Sequence, residues 1–133
     1  KNMAGLYPMG HQVDHAVAAF LTDLERRGLS DKVLLVVTGE MGRTPRLNKN
    51  GGRDHYGNLT SLLLAGGGLK MGQVVGESDS TASLPATRPY GPMNLFGTIF
   101  HTLFDMGELR IAQNLPAPIR ELADKARPIP ELV

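Results

Sequence analysis

The sequence predicts an α/β fold with a mainly parallel sheet flanked by helices. Residues 33–37 form an unbroken apolar, β-branched run, which is typical of a strand buried on both faces in a parallel sheet. A helical apolar pattern comes directly before this run, and a helix followed at once by a buried strand is half of a βαβ unit. We therefore expect residues 1–133 to form either a single domain or a fragment of a larger α/β domain.

Composition excludes several classes of protein. The chain carries 14 basic and 13 acidic residues with no long run of one sign, so it lacks the charge pattern of a nucleic-acid-binding protein. It has no Cys, so any metal would be held by His and carboxylate side chains. No apolar stretch approaches the roughly 20 residues that span a bilayer. Because the chain opens on Lys1 and its first ten residues have a loop-like composition, we expect a fragment of a longer protein.

Helical periodicity predicts three helices. The first covers residues 11–27, ends at a left-handed Gly28 and has one apolar face. That face consists of Val13, Ala16, Val17, Phe20, Leu21 and Leu24. A second helix over 92–105 begins at a proline in its first turn, and a short third helix covers 116–126, before an extended tail.

Strands and loops are predicted to alternate between the first two helices. A second buried strand covers 59–65 and ends in a glycine turn at 66–68, and residues 73–77 form a short third strand. Residues 45–58 are polar and rich in glycine, without hydrophobic periodicity. A loop of this length inside a compact domain is more often functional than accidental.

Glu40 is the first acidic residue beyond the strand predicted at 33–37. In open α/β sheets, ligands bind in the crevice past the carboxyl ends of the strands. The flanking Gly39 and Gly42 allow the backbone to turn sharply and leave room for a ligand. The position suits a metal or a phosphate-like substrate. The alternative is that Glu40 and Arg43 form a solvated pair in a surface loop.

The second candidate block is Gly-Gly-Arg-Asp-His-Tyr-Gly at 51–57. His55 is a candidate metal ligand, and Asp54 would act as a co-ligand or orient a neighbouring group. Arg43 and Arg53 are candidates for a bidentate clamp on an anionic oxygen. The alternative is a turn with an Asp cap and an exposed His. No Ser or Thr stands beside a convincing base, so the sequence shows no catalytic nucleophile.

Two motifs carry a family resemblance, Gly-Glu-x-Gly-Arg-Thr-Pro at 39–45 and Gly-Arg-Asp-His at 52–55. From about residue 12 to its end, the chain resembles the C-terminal part of a large family of uncharacterised bacterial proteins related to the sulfatases. The resemblance implies an alkaline-phosphatase-like α/β fold in which divalent metals, Zn or Ca, activate a nucleophile that cleaves phosphate or sulfate esters.

The resemblance also implies roles for residues of this chain. Glu40 stands where the acidic ligand at the strand end would be, and His55 stands where a later ligand would be. Met41 departs from the pattern because it replaces the second ligand of the pair. The nucleophile and the first metal-binding acids would lie in the remainder of a parent chain, and relatives look exported. We keep open the alternative of a non-catalytic binding or scaffold protein that retained the fold and lost the site.

Overall fold

The computed structural model describes residues 3–133 and the side chains of residues 6–133. In chain order the elements are α1 (Met3–Arg26), β1 (Leu34–Thr38), β2 (Gly42–Arg43), β3 (His55–Tyr56), β4 (Leu62–Gly66), α2 (Pro92–Leu103), α3 (Met106–Ile111) and α4 (Ala117–Lys125). The helices predicted at 92–105 and 116–126 are confirmed as α2 and α4, with ends that differ by no more than two residues. No helix in this part of the chain is both long and apolar enough to cross a membrane.

The predicted alkaline-phosphatase-like fold, with a mainly parallel sheet flanked by helices, is wrong. Every strand pairing within residues 3–133 is antiparallel: β1 pairs with β4, and β2 pairs with β3 in a separate two-stranded ribbon. β1 is half-buried rather than buried on both faces. An apolar run indicates that a strand is covered, but it carries no information about the direction of the neighbouring strand. After β1 the chain forms the ribbon of β2 and β3 and then returns beside β1 as β4.

Helix α1 begins earlier than the sequence predicts. It starts at Met3 and continues through Pro8, so residues 3–10 are helical where a loop was expected; residues 1–2 lie outside the described part. Its end is as predicted, because Gly28 adopts φ of +65° just beyond the last turn. Only the last part of its apolar face is covered, where Leu24 is buried.

The hydrophobic core is built by the C-terminal tail. Ile129 and Leu132 are buried beside Leu69, and Leu34 of β1 and Leu64 of β4 pack against them. The backbone N–H of Lys70 donates to the Leu132 carbonyl at 2.8 Å. The segment predicted as an extended tail is therefore an internal part of the fold. The short strand predicted at 73–77 is absent, and pairing near it is limited to one bridge, Ser78 to Pro85.

Candidate functional site

The ribbon of β2 and β3, which comes between β1 and β4 along the chain, brings together two predicted site residues. Arg43 of β2 is directly opposite His55 of β3, and Gly42 is opposite Tyr56. Residues directly opposite each other in an antiparallel pair have Cβ atoms about 4.5–5.5 Å apart and share one face. A guanidinium and an imidazole from separate sequence blocks are thus neighbours, and Glu40 lies just before β2.

Gly42 permits the close approach on which the ribbon depends. A Cβ at this position would overlap the carbonyl group of Leu59 and lie 3.2 Å from the carbonyl oxygen of Tyr56. The sequence suggested that this glycine leaves room for a ligand. In the structure the space is filled by backbone of the chain itself, so Gly42 serves packing.

The loop between the ribbon strands is closed by a network of hydrogen bonds. Thr44 N–H donates to the Asp54 carbonyl and Asp54 N–H donates to Thr44 Oγ1, both at 3.0 Å, which continues the pairing beyond β2 and β3. Asn48 Oδ1 accepts from the N–H groups of Asn50 and Gly52 at 3.0 Å each. Asn48 Nδ2 donates to Asp54 Oδ1 at 2.7 Å. The loop therefore has a defined conformation.

Arg53 and Asp54, two predicted site residues, take part in this network. One terminal nitrogen of Arg53 donates to the carbonyl oxygens of Thr44, at 2.7 Å, and Pro45. One carboxylate oxygen of Asp54 accepts from Asn48. Both side chains thus support the shape of the loop, with their remaining polar atoms left for other partners.

Glu40, Arg43 and His55 have exposed side chains that make no ion pair with any described residue. Glu40 and His55 offer an oxygen and a nitrogen donor, both of which Zn accepts, but zinc sites use three or four protein ligands. Within residues 3–133 no group of three or more His, Cys, Asp or Glu side chains is arranged to hold a metal. The described part of the chain therefore presents no complete metal site.

The segment 39–58 favours anions. It contains four basic and two acidic side chains, a net charge of +2, whereas the whole chain carries only +1. All four basic side chains are exposed: Arg43, Arg46, Lys49 and Arg53. A local excess of positive charge attracts an anionic ligand and raises its local concentration.

A third loop, not predicted as part of the site, is fastened to the ribbon. The hydroxyl of Tyr56 donates to the carbonyl of Ser83 at 2.6 Å and accepts from Asn58 Nδ2 at 3.1 Å. Asp79 shapes this loop by accepting from the N–H groups of Ser83 and Thr81, at 2.8 and 3.1 Å. The Ser83 N–H, aided by the Thr81 hydroxyl, lowers the pKa of Asp79. Only the Asp-Ser-Thr-rich turn composition signals this loop in the sequence.

Comparison with known proteins gives one match. A family model described as a protein of unknown function (DUF1501) matches residues 1–133. No curated protein and no solved structure matches the chain. The expected resemblance to an uncharacterised family is therefore confirmed over the whole chain.

Proposed function

This chain belongs to the DUF1501 family of proteins of unknown function, and from that premise we propose that it is the C-terminal segment of a metal-dependent, sulfatase-like hydrolase of phosphate or sulfate esters. The observation that supports the proposal most is the register of the ribbon, which pairs Arg43 with His55. Guanidinium groups match the geometry of phosphate and sulfate oxygens, and the imidazole beside it is a common metal ligand.

Each site residue has a role in this proposal. Arg43 binds the anionic oxygens of the ester, and Glu40 and His55 are two ligands of a divalent metal, Zn or Ca. Asp54, which accepts from Asn48, is the candidate supporting group beside His55, and Arg53, which donates to the Thr44 carbonyl, is a second candidate for oxyanion binding. A bound metal would polarise the ester and activate the nucleophile. We place the nucleophile and the remaining ligands in polypeptide outside residues 1–133.

Surface area supports a larger assembly. The chain exposes 9922 Å², whereas a folded monomer of 14.3 kDa is expected to expose about 6,800 Å². The excess of about 3,100 Å² exceeds the roughly 800 Å² that one partner contributes to a standard interface. Part of it is the apolar face of α1, where Val13 and Phe20 are 54% and 43% exposed. We propose that the remainder of the parent protein covers this surface and completes the site.

Metal content of the purified full-length protein tests the proposal. Elemental analysis should find stoichiometric Zn or Ca in the wild type and a large loss of it in His55→Ala. His101→Ala removes an exposed histidine of α2 outside the site and should keep the metal. No metal in the wild type, or equal metal in the wild type and His55→Ala, would contradict the metal-dependent hydrolase.

A non-catalytic, anion-binding or scaffold role is the second candidate. Met41 at the position of an expected ligand favours it, as does the use of Arg53 and Asp54 in holding the loop. If the folded protein contains no metal but binds inorganic phosphate with an affinity that depends on Arg43, this second role becomes the better description.

A further inference from the structure

The strand pairing of the ribbon is too short to fix its own register. β2 and β3 have two residues each, and even complete isolated hairpins are marginally stable in water. Side chains alternate between faces along a strand, so a slip of one residue would move Arg43 and His55 to opposite faces. Contacts outside the two strands must therefore hold these side chains together.

Asn48 makes five hydrogen bonds within the loop that joins the two strands. Its backbone N–H donates to the Gly52 carbonyl at 2.8 Å, and its carbonyl accepts from the N–H of Gly51 at 3.0 Å. Its side-chain amide oxygen accepts hydrogen bonds from the N–H groups of Asn50 and Gly52, and its amide nitrogen donates to Asp54. Asp54 in turn pairs with Thr44 immediately beyond the ribbon. One half-buried side chain thus links the loop interior to the last pair of the ladder.

We propose that Asn48 is a positioning residue that locks the register of β2 and β3 and so keeps Arg43 beside His55. It acts through Asp54 and Thr44 and does not itself touch an anion at the ribbon. The inference rests on the proposed function in one respect, which is that anion binding at the ribbon requires this register. The register itself is a property of the folded chain and is measured without ligand.

The primary test is nuclear magnetic resonance of the full-length protein with labelled Arg and His. The wild type should show cross-strand Overhauser contacts between the backbones of Arg43 and His55, which Asn48→Ala should lose. Asn50→Ala is the matched control, because Asn50 contributes only its backbone N–H to the network. In Asn50→Ala the cross-strand contacts between Arg43 and His55 should remain as in the wild type.

Exchanging the side chains of Asn48 and Asp54 distinguishes a positioning role of Asn48 from a general effect on stability. Asn48→Asp keeps both acceptor contacts within the loop but sets a second carboxylate against Asp54, so it should lose the cross-strand contacts. The double variant Asn48→Asp, Asp54→Asn again sets an amide against a carboxylate. It should therefore regain the cross-strand contacts between Arg43 and His55. If Asn48→Ala does not fold, the comparison between Asn48→Asp and the double variant decides.

Titration with inorganic phosphate is the second measurement. Displacing one member of the Arg43 and His55 pair should weaken binding by about tenfold or more in Asn48→Ala, whereas Asn50→Ala, which alters no side-chain contact of the network, should bind phosphate as the wild type does. If the wild type does not bind phosphate but Asn48→Ala loses the cross-strand contacts, the positioning role stands and anion binding at the ribbon fails. If the cross-strand contacts survive in both Asn48→Ala and Asn48→Asp, the positioning role is overturned.

Discussion

Thr98 is the residue that fastens the C-terminal tail to α2. It is fully buried, its hydroxyl donates to the Asn94 carbonyl at 2.9 Å, and it accepts from the N–H of Ile129 at 2.9 Å. The bond to Ile129 satisfies a buried backbone donor that would otherwise have no partner, and it joins segments 31 positions apart. The Thr98 hydroxyl is therefore one of the contacts that hold the tail in the core.

We expect Thr98→Val to lower the free energy of unfolding by about 1–3 kcal/mol, because the variant keeps the volume but leaves the Ile129 N–H unpaired. Urea denaturation measures the change. Thr102→Val is the control, since the Thr102 hydroxyl only donates to a carbonyl of its own helix, at 2.8 Å. Its expected cost is below about 1 kcal/mol. Equal losses in the two variants would contradict the role of Thr98.

Glu131 and Tyr90 form a second attachment of the tail, and this one depends on pH. The Tyr90 hydroxyl donates to both carboxylate oxygens, at 2.7 and 2.8 Å. This bond lowers the pKa of Glu131 from its ordinary 4.5 and raises the pKa of Tyr90 from its ordinary 10.0. Its contribution to stability is therefore lost as pH falls through the lowered pKa of Glu131, and lost again as pH rises through the raised pKa of Tyr90.

Tyr90→Phe should raise the pKa of Glu131 toward its ordinary value, because the main donor to the carboxylate is removed. A pH titration of the Glu131 side-chain carbon signal gives this pKa directly. Asp79, whose pKa is lowered by other donors, serves as the internal reference and should not move. An unchanged Glu131 titration in Tyr90→Phe would show that the hydroxyl does not control this carboxylate.

At the scale of elements, α2 and the tail approach each other backbone to backbone. A Cβ at Gly97 would lie 2.7 Å from the backbone nitrogen of Arg127, and closer still to its carbonyl group. Neither backbone has room to yield without moving the tail. Gly97 therefore allows α2 to pack closely against the tail, although glycine weakens the interior of a helix.

Gly97→Ala should lower the free energy of unfolding by about 1–3 kcal/mol through overpacking. Gly10→Ala is the matched control, because Gly10 is also inside a helix but a Cβ there meets no atom within 4 Å. That change should raise stability by about 0.5–1 kcal/mol. Thermal or urea denaturation of the two variants should give shifts of opposite sign, and shifts of the same sign would contradict the close approach of α2 and the tail.

At the scale of the whole molecule, α1 carries a row of exposed apolar side chains along one face. Leu6, Val13 and Phe20 follow one another at intervals of seven residues, so they lie on one face of the helix, and each is 43–63% exposed. Contiguous exposed apolar surface of this kind marks interaction sites, whereas single exposed apolar residues are ordinary.

We expect residues 1–133 expressed alone to bind the dye anilinonaphthalene sulfonate, and the double variant Val13→Gln, Phe20→Gln to bind much less of it. Val74→Gln is the control, since Val74 is 95% exposed but is not part of the α1 face. Fluorescence titration compares them. Equal dye binding by the three proteins would show that the α1 face is not the main exposed apolar surface.

The sequence by itself determined the elements whose signals are local. Apolar periodicity and a proline in the first turn predicted α2, and a left-handed Gly28 predicted the end of α1. Each of these depends on residues within a few positions of one another. The extension of α1 through Pro8 was missed because proline and glycine there argue locally against a helix.

Only the tertiary structure decided the strand direction, the burial of the tail and the composition of the ribbon. β1 and β4 are apolar in either orientation, so their antiparallel pairing follows from the path of the chain between them. Ile129 packs into the apolar core, and the Thr98 hydroxyl, 31 positions away, accepts the hydrogen bond from its N–H. Arg43 and His55 become neighbours because the chain between them folds back on itself through hydrogen bonds such as Asn48 to Asp54 and Thr44 to Asp54, which no spacing in the sequence reveals.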